Sequence, residues 1–219
     1  MSQLKPRERI LNKLRAARVE ALPCPDAPAF YTATNEDQVT RVERLMLNMK
    51  NAMAEVHRSS EAGLGECIAR ICAEKQVKLL AVGPELLSDE PLSAQLAQQS
   101  TLLKVTQCRI DQPALFQTVD AGITLTHGGI AETGTLVLWS SDHSPRLLSL
   151  VPPIHIAILY ASQVVETLMD LMVKENWAAC LPTNVILISS PSKTADIQQT
   201  LAYGAHGPKQ LVVVLVEDL

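Results

Sequence analysis

Aromatic residues are scarce in this chain. They make up only 3% of the 219 residues, whereas hydrophobic residues of all kinds make up 47%. Proteins that bind single-stranded nucleic acid by stacking bases usually carry more aromatic rings. The formal net charge is −4, and residues of both signs are interspersed, so bulk charge does not favour a polyanion. We therefore expect a core of Leu, Val, Ile and Ala, and no nucleic-acid partner.

Long apolar segments and paired cysteines are missing as well. The longest apolar runs, such as VPPIHIAILY and QLVVVLVE, are too short to cross a bilayer, and the charged N-terminal stretch does not resemble a signal peptide. These features predict a cytoplasmic protein without membrane insertion. The five cysteines form no CxxC pair, which predicts reduced thiols and no iron–sulfur cluster held by this chain.

The first 75 residues have mainly helical patterns. Residues 5–21 are amphipathic at helical spacing, and three prolines interrupt the pattern at 23–28. A second helix is predicted to begin at Asn35, which is a good N-cap, and a third covers about 60–75. We therefore predict a helical N-terminal segment, residues 1–75, packed on the core formed by the rest.

From residue 76 onward, apolar strands alternate with helices. The predicted helices lie between many of the strands, at 91–99, 112–120, 162–176 and 194–203. The predicted strands are 77–82, 102–107, 122–126, 135–139, 155–160, 185–189 and 211–216. This alternation predicts an α/β domain over 76–219, with a largely parallel sheet flanked by helices. The link between the strands at 122–126 and 135–139 has no helix, which predicts a hairpin or a tight corner there.

Ligands of such sheets usually bind beyond the carboxyl ends of the strands. That rule points to four places, which are Gly83-Pro84, the turn at 127–134, the segment after 160, and residues 189–194. Two of these places, the turn at 127–134 and residues 189–194, carry candidate chemistry.

The first carries an ionisable residue, Glu132, within the glycine-rich stretch HGGIAETGT (127–135). Glu132 is a candidate catalytic base or nucleophile, and a solvated or N–H-capping carboxylate is the alternative. The G-x-x-x-x-G-T spacing lacks the P-loop lysine and precedes a strand, which excludes a nucleotide P-loop. Ordinary turn chemistry also accounts for the glycines. The turn supplies further candidate ligand contacts, which are Gly128, Gly129, Thr133 and Thr135.

The second is the stretch SSPSKTADI, where hydroxyls and one ammonium follow a predicted strand. A helix predicted from Thr194 to Tyr203 would begin here, and helix N-termini favour carboxylates and phosphates. An ordinary capped helix is the alternative. We expect Glu132 to lie at a strand end and to face this helix terminus at residues 192–196. The candidate anion ligands are Ser190, Ser192, Lys193, Thr194, Asp196 and His206. Arg146 could hold a substrate carboxylate bidentately, or could make a surface ion pair.

Other ionisable residues carry weaker signals. His127, Glu132, His155 and His206 lack the spacing of a zinc motif, so no metal site is predicted. The neighbours Asp142, His143 and Ser144 are not expected to form a triad, because triad side chains converge from separate elements.

Three stretches in order, AETGTLVL (131–138), PRLLSLVPPIHIAIL (145–159) and SKTADIQQTLAYGAHGP (192–208), resemble the LUD-domain family and its lactate utilization protein C members. The resemblance implies a fold like the NagB/RpiA/CoA-transferase-like fold. Residues 132–135 match the AETGT motif, Ser192 to Ile197 match S-[RK]-TADI, and 206–208 match HGP. Two departures are Gln198, where a glutamate is common, and His127-Gly128-Gly129 before AETGT.

The resemblance also implies a role in growth on L-lactate, together with two iron–sulfur proteins that oxidise lactate to pyruvate. Clusters would then lie in these partner proteins, with no cofactor in this chain. A small organic anion such as lactate or pyruvate, or a partner protein, would bind through the loops 127–135 and 189–208. A stand-alone cyclo-ligase or CoA-transferase-like enzyme and a non-catalytic adaptor subunit stay open, because shared fold does not establish shared function.

Overall fold

The chain divides into two compact units, Met1–Thr34 and Asn35–Leu219. In this computed structural model, the described residues are 6–17, 36–98, 104–107, 117–177, 179, 184–195, 201–204 and 206–219. The first unit contributes α1 (Pro6–Ala16), which has no buried residue. Residues 36–75 belong to the second unit, and the packing of the whole segment 1–75 on a core stays a prediction. None of the described helices is both long and apolar enough to cross a bilayer.

A parallel sheet forms the centre of the second unit. Its strands are β1 (Glu55–Ser59), β2 (Leu79–Val82), β3 (Lys104–Gln107), β4 (Ala121–Leu125), β7 (Ile154–Tyr160) and β12 (Gln210–Val216). Their spatial order is β1-β12-β7-β4-β2-β3, and every neighbouring pair is parallel. The predicted largely parallel sheet is therefore confirmed. β1 was not predicted, because it lies in the part of the chain with mainly helical patterns.

Helices flank the sheet, as the sequence predicts. They are α2 (Gln38–Asn51), α3 (Leu64–Glu74), α4 (Pro84–Ser88), α5 (Glu90–Gln98), α6 (Leu147–Leu150) and α7 (Leu168–Lys174). The N-cap of α2 is Asp37 rather than Asn35, because the Asp37 carboxylate accepts a hydrogen bond from the Thr40 backbone N–H at 2.7 Å. α2 then buries four residues at helical spacing, Val42, Leu45, Met46 and Met49.

A smaller second sheet contains β5 (Gly128–Ile130), β6 (Thr135–Trp139), β8 (Val164–Val165) and β9 (Val185–Ile188) in the order β8-β5-β6-β9. The predicted hairpin exists, but it joins β5 to β6, because β4 belongs to the parallel sheet. The chain turns a corner between β4 and β5. The predicted helix at 162–176 is confirmed only over α7, since residues 164–165 pair with β5.

The helix predicted from Thr194 to Tyr203 is wrong at both of its ends. β10 (Lys193–Ala195) and β11 (Leu201–Tyr203) pair as antiparallel strands. One further backbone hydrogen bond extends this pair beyond the two strands, because Gly204 N–H donates to the Ser192 carbonyl at 2.9 Å. The hydrogen bonds of this antiparallel pair override the local helix propensity. Residues 196–200, and most of the predicted helix at 112–120, lie outside the described part of the chain.

The two faces of β7 pack against different partners. Ile156 and Ile158 join the cluster formed with α3, α4 and α5. Ala157 and Leu159 join a second cluster with α2 and β6. Alternate side chains of a strand point to opposite faces, so the parallel sheet is covered by helices on one side and by α2 and the second sheet on the other.

Two glycines of the hairpin allow α2 to approach it closely. A Cβ atom at Gly129 would lie 2.6 Å from Leu45 Cδ1 and 3.0 Å from Leu159 Cδ2. Gly134 has a φ of +62°, and a Cβ there would lie 2.5 Å from Asn48 Cβ. Close packing explains Gly129, and close packing together with a positive φ explains Gly134. These two glycines therefore fit the alternative of ordinary turn chemistry, which needs no ligand.

Replacing Gly129 with alanine should therefore destabilise the protein. We expect Gly129→Ala to lower the free energy of unfolding by roughly 1–3 kcal/mol, because the added methyl group overpacks a closed core. Urea denaturation measures this loss. Leu45→Val would remove part of the obstructing side chain, so it should cost less in the Gly129→Ala background than in the wild type. Strictly additive losses would contradict the proposed contact.

Candidate functional site

A cavity of about 450 Å³ lies where the second sheet meets the parallel sheet. The end of β9 and the loop after it form one wall, and the loop before β12 forms another. Its lining residues are 186–193, 206–208, Ser149, Leu150, His155 and Leu211. This volume is in the range of small-molecule sites and exceeds what a three-carbon acid needs.

The cavity lies at the amino ends of the parallel strands. His155 and Leu211 pair with each other near the starts of β7 and β12. The cavity therefore lies beyond the carboxyl end of β9, as the rule expects, but at the opposite ends of the parallel strands β7 and β12. Of the four places that the rule selected, only residues 189–194 border the cavity. Gly83 is instead packed, since a Cβ there would lie 2.8 Å from the His143 carbonyl oxygen.

Two loops that the sequence analysis singled out are held together at the cavity. Ser192 N–H donates to the Pro208 carbonyl at 2.9 Å. A Cβ at Gly207 would lie 3.1 Å from Ser192 Cβ, so the loops are in close contact. The structure thereby brings together four of the predicted ligand residues, Ser190, Ser192, Lys193 and His206.

The lining combines positive charge with hydroxyl groups. Lys193 and His206 are exposed, and no carboxylate occurs among the described lining residues. The hydroxyl of Ser190 already donates to the Pro191 carbonyl at 3.0 Å, and that of Ser149 donates to the Arg146 carbonyl at 2.9 Å. These two serines retain acceptor capacity only. The Lys193 ammonium and the Ser192 hydroxyl are donors without a partner in the described part of the chain.

A chain of three hydroxyls connects the AETGT motif to the cavity. Thr133 Oγ1 lies 2.7 Å from Thr135 Oγ1, which lies 2.7 Å from Ser189 Oγ in the cavity wall. Three hydroxyl protons serve two hydrogen bonds, so one of the three protons is left over. A ligand acceptor at Ser189 would draw that proton to the cavity end. Thr133 and Thr135 therefore reach the cavity only through Ser189, which the sequence analysis did not single out as a ligand.

Glu132 does not line the cavity. Its side chain is exposed, its N–H donates to the Glu166 carbonyl at 3.0 Å, and its own carbonyl accepts from Asn48 Nδ2 at 3.2 Å. Its charge contributes weakly to raising the pKa of Arg44, which is raised mainly by a hydrogen bond to Glu166. The expected position of Glu132 opposite a helix terminus at Ser192 is wrong, because residues 193–195 form a β-strand there. A catalytic role for Glu132 stays a prediction.

The remaining predicted ligands are dispersed. Gly128 and Gly129 are buried in β5, where they serve packing. Arg146 is exposed just before α6 and is absent from the cavity lining, although its carbonyl supports Ser149. Asp196 and the side chain of Thr194 lie outside the described residues. No cluster that could hold a metal ion occurs within the described ranges.

His155 is the one fully buried ionisable side chain of the cavity. Burial lowers its pKa to about 3, so the imidazole is neutral at physiological pH. Nε2 lies 2.9 Å from Thr124 Oγ1, and Nδ1 has no hydrogen-bond partner in the described part of the chain. In the sequence, His155 belongs only to the set of residues compared with the spacing of a zinc motif. The available signal was a single polar residue within the buried strand IHIAILY.

A smaller cavity of about 270 Å³ lies between β1 and α3. Its Arg58 is already paired with Glu43 and Glu217, and Glu66 adds a negative charge to the wall. An anion would have to compete with these carboxylates. The larger cavity is therefore the better candidate site.

Burial of neutral His155 predicts a specific pH dependence of stability. Its pKa is about 3 in the folded state and near 6.5 when exposed, so the unfolded state binds more protons between these values. The contribution of neutral His155 to the free energy of unfolding is therefore complete above pH 6.5 and is lost as the pH falls toward 3. Between pH 7.5 and 5, the wild type should lose about 2 kcal/mol more than His155→Asn in urea denaturation. The exposed His143→Asn control should keep the wild-type slope, and equal slopes in all three proteins would contradict burial of a neutral imidazole.

Comparison with known proteins identifies relatives of this chain. The chain is 34% identical over 219 residues to an uncharacterized protein of Neisseria meningitidis serogroup B, covering 96% of this chain and 93% of that protein. It is 27% identical over 194 residues to lactate utilization protein C of Bacillus subtilis, covering 80% and 79%. For lactate utilization protein C of Halalkalibacterium halodurans, the identity is 38% over 103 residues, covering 45% of each chain.

The fold has a solved counterpart. A DUF162 family protein from Deinococcus radiodurans superposes with a TM-score of 0.64 at 22% identity, covering 83% of this chain and 99% of that one. The sequence model of the LUD domain matches residues 42–216, which include the parallel sheet from β1 to β12 and the whole cavity. This protein therefore belongs to the LUD domain family.

Proposed function

We propose that this chain is a component of an L-lactate utilization system, in which iron–sulfur partner proteins oxidise L-lactate to pyruvate. We further propose that its 450 Å³ cavity binds a small organic anion. The first proposal is supported by the LUD domain and by relatives named lactate utilization protein C. The second is supported by the chemistry of the cavity itself.

One observation carries the anion proposal. Lys193 and His206 stand at the exposed part of the cavity, Ser192 adds an unpaired hydroxyl, and none of the described lining residues is acidic. A carboxylate entering here meets a cation and hydrogen-bond donors without a competing negative charge. Lactate and pyruvate are both small carboxylates, so either would match this wall.

The proposal places the redox centres in partner proteins. Among the described cysteines, Cys67 and Cys72 are both buried, and burial raises the pKa of the Cys72 thiol to about 12. A protonated thiol is a poor ligand for a cluster, because metals bind the thiolate. These two residues therefore give this chain no evident means of holding iron.

The alternatives have less support. Gly129 lies in a buried strand and β6 follows Gly134, so the glycine-rich turn offers no helix N-terminus to a nucleotide phosphate. This counts against a nucleotide-dependent cyclo-ligase. Glu132, the candidate nucleophile of a CoA-transferase-like reaction, lies outside the cavity lining. A non-catalytic adaptor subunit predicts no affinity for any small acid.

Thermal-shift measurements with L-lactate, D-lactate, pyruvate, ATP and CoA test the proposal. A ligand at 100 times its Kd adds about 2.7 kcal/mol of stability, which corresponds to a rise in Tm of roughly 5–10 °C for a chain of this size. We expect such a rise with L-lactate or pyruvate. Lys193→Ala should weaken binding about three- to tenfold, because an exposed ammonium contributes less than a buried one.

Lys209→Ala is the matched control, because Lys209 is also an exposed lysine nearby but does not line the cavity. It should leave the affinity unchanged. A response to ATP or CoA alone would favour the stand-alone enzyme. No response to any of these compounds would favour the adaptor.

A further inference from the structure

The cavity has a charged mouth and a neutral inner end. Lys193 and His206 are exposed, whereas His155 is completely buried. Leu150, Ile186 and Leu211 contribute apolar surface to the lining. A ligand that contacts both Lys193 and His155 would therefore place its charged group near Lys193 and a neutral group near His155.

The hydrogen bonds that His155 and Thr124 can form identify the tautomer of His155. The Thr124 hydroxyl is buried, and the only acceptor found for it in the described residues is His155 Nε2, at 2.9 Å. If Thr124 donates, Nε2 is satisfied and the proton lies on Nδ1. The opposite tautomer would leave both the Thr124 hydroxyl proton and Nδ1 without a partner. The first arrangement leaves fewer unpaired groups, so it is the more stable one.

Nδ1–H is then an unused donor in a buried side chain of the cavity wall. The Lys193 ammonium is the positive charge of the lining, so a carboxylate pairs there, and the neutral Nδ1–H is left for a second oxygen of the ligand. A neutral donor pairs well with a carbonyl oxygen or with a hydroxyl lone pair. Ser149 and Ser190, which also line the cavity, cannot donate to this second oxygen, because their hydroxyl protons are already donated to backbone carbonyls.

We propose that the His155–Thr124 pair recognises the oxygen on the second carbon of a 2-oxo or 2-hydroxy acid, while Lys193 and Ser192 hold its carboxylate. This inference rests on the anion-binding function proposed above and specifies the class of acid. Thr124 is a positioning residue, since it fixes the proton on Nδ1. An acid that lacks the oxygen leaves a buried donor unpaired, and sites of this kind reject such ligands strongly.

Calorimetric titration of the full chain with pyruvate, L-lactate and propionate tests the inference. Propionate has the same carbon skeleton and carboxylate, but no oxygen on the second carbon. We expect the wild type to bind pyruvate and L-lactate at least about tenfold more tightly than propionate. His155→Phe keeps an aromatic ring without nitrogen, so it should reduce this ratio to near one. His155→Asn, whose amide can still donate, should restore part of it.

Lys193→Ala separates this inference from the anion proposal. It should weaken all three acids by a similar factor and keep the ratio between them. A wild type that binds pyruvate and propionate equally, with both dependent on Lys193, would overturn the role of His155 and leave the anion site standing. A wild type that binds none of the acids would overturn both.

Nitrogen-15 NMR of the wild type avoids any effect of substitution on folding. We expect His155 to be protonated at Nδ1 alone, with the same tautomer from pH 5 to 8. Pyruvate should shift the Nδ1–H resonance, and propionate at equal occupancy should not. A proton on Nε2, or equal shifts with both acids, would overturn the inference. Thr124→Val should lower the tautomer preference if Thr124 is the positioning group.

Discussion

Apolar packing of the second sheet and α2 against one face of the parallel sheet is the contact on which the site depends. Leu45 and Leu136 lie in the same buried cluster as Ala157 and Leu159 of β7. This packing carries β9 and the loop after it across the amino ends of β7 and β12. Without it, Lys193 and Ser192 would have no defined relation to His155. The glycines of β5 permit the close approach of α2 on which this cluster relies.

The site combines a rigid floor with loops joined by backbone hydrogen bonds. His155 belongs to a strand bonded on both sides, between β4 and β12, so its position is determined by the sheet. The wall that carries Lys193 is held by the hydrogen bond between Ser192 and Pro208. The AETGT motif adds support through hydroxyls at Thr135 and Ser189. The SKTADI motif thus lines the cavity directly through Ser192 and Lys193, and the AETGT motif contacts it through Ser189.

Strand prediction succeeded where apolar runs are continuous, as in TLVLW, because burial on both faces leaves a clear pattern in the sequence. It failed for β5 and β8, which are three and two residues long and contain too few positions to show a period. The error at Lys193–Tyr203 had another origin. Local propensity favours a helix there, but the backbone of residues 193–195 pairs with that of residues 201–203 as an antiparallel hairpin. Placement of Glu132 failed for the same reason, because it assumed that helix.

The sequence by itself determined the class of fold, the family resemblance and the presence of hydroxyls and a lysine after β9, because these are local properties. Only the tertiary structure decided that the cavity lies at the amino ends of the strands. It also decided that Ser149 and His155 join Lys193, and that Glu132 lies near Arg44 instead. These relations come from the packing of one sheet on another. That packing is a sum of many weak contacts between distant segments, and no short stretch of sequence records it.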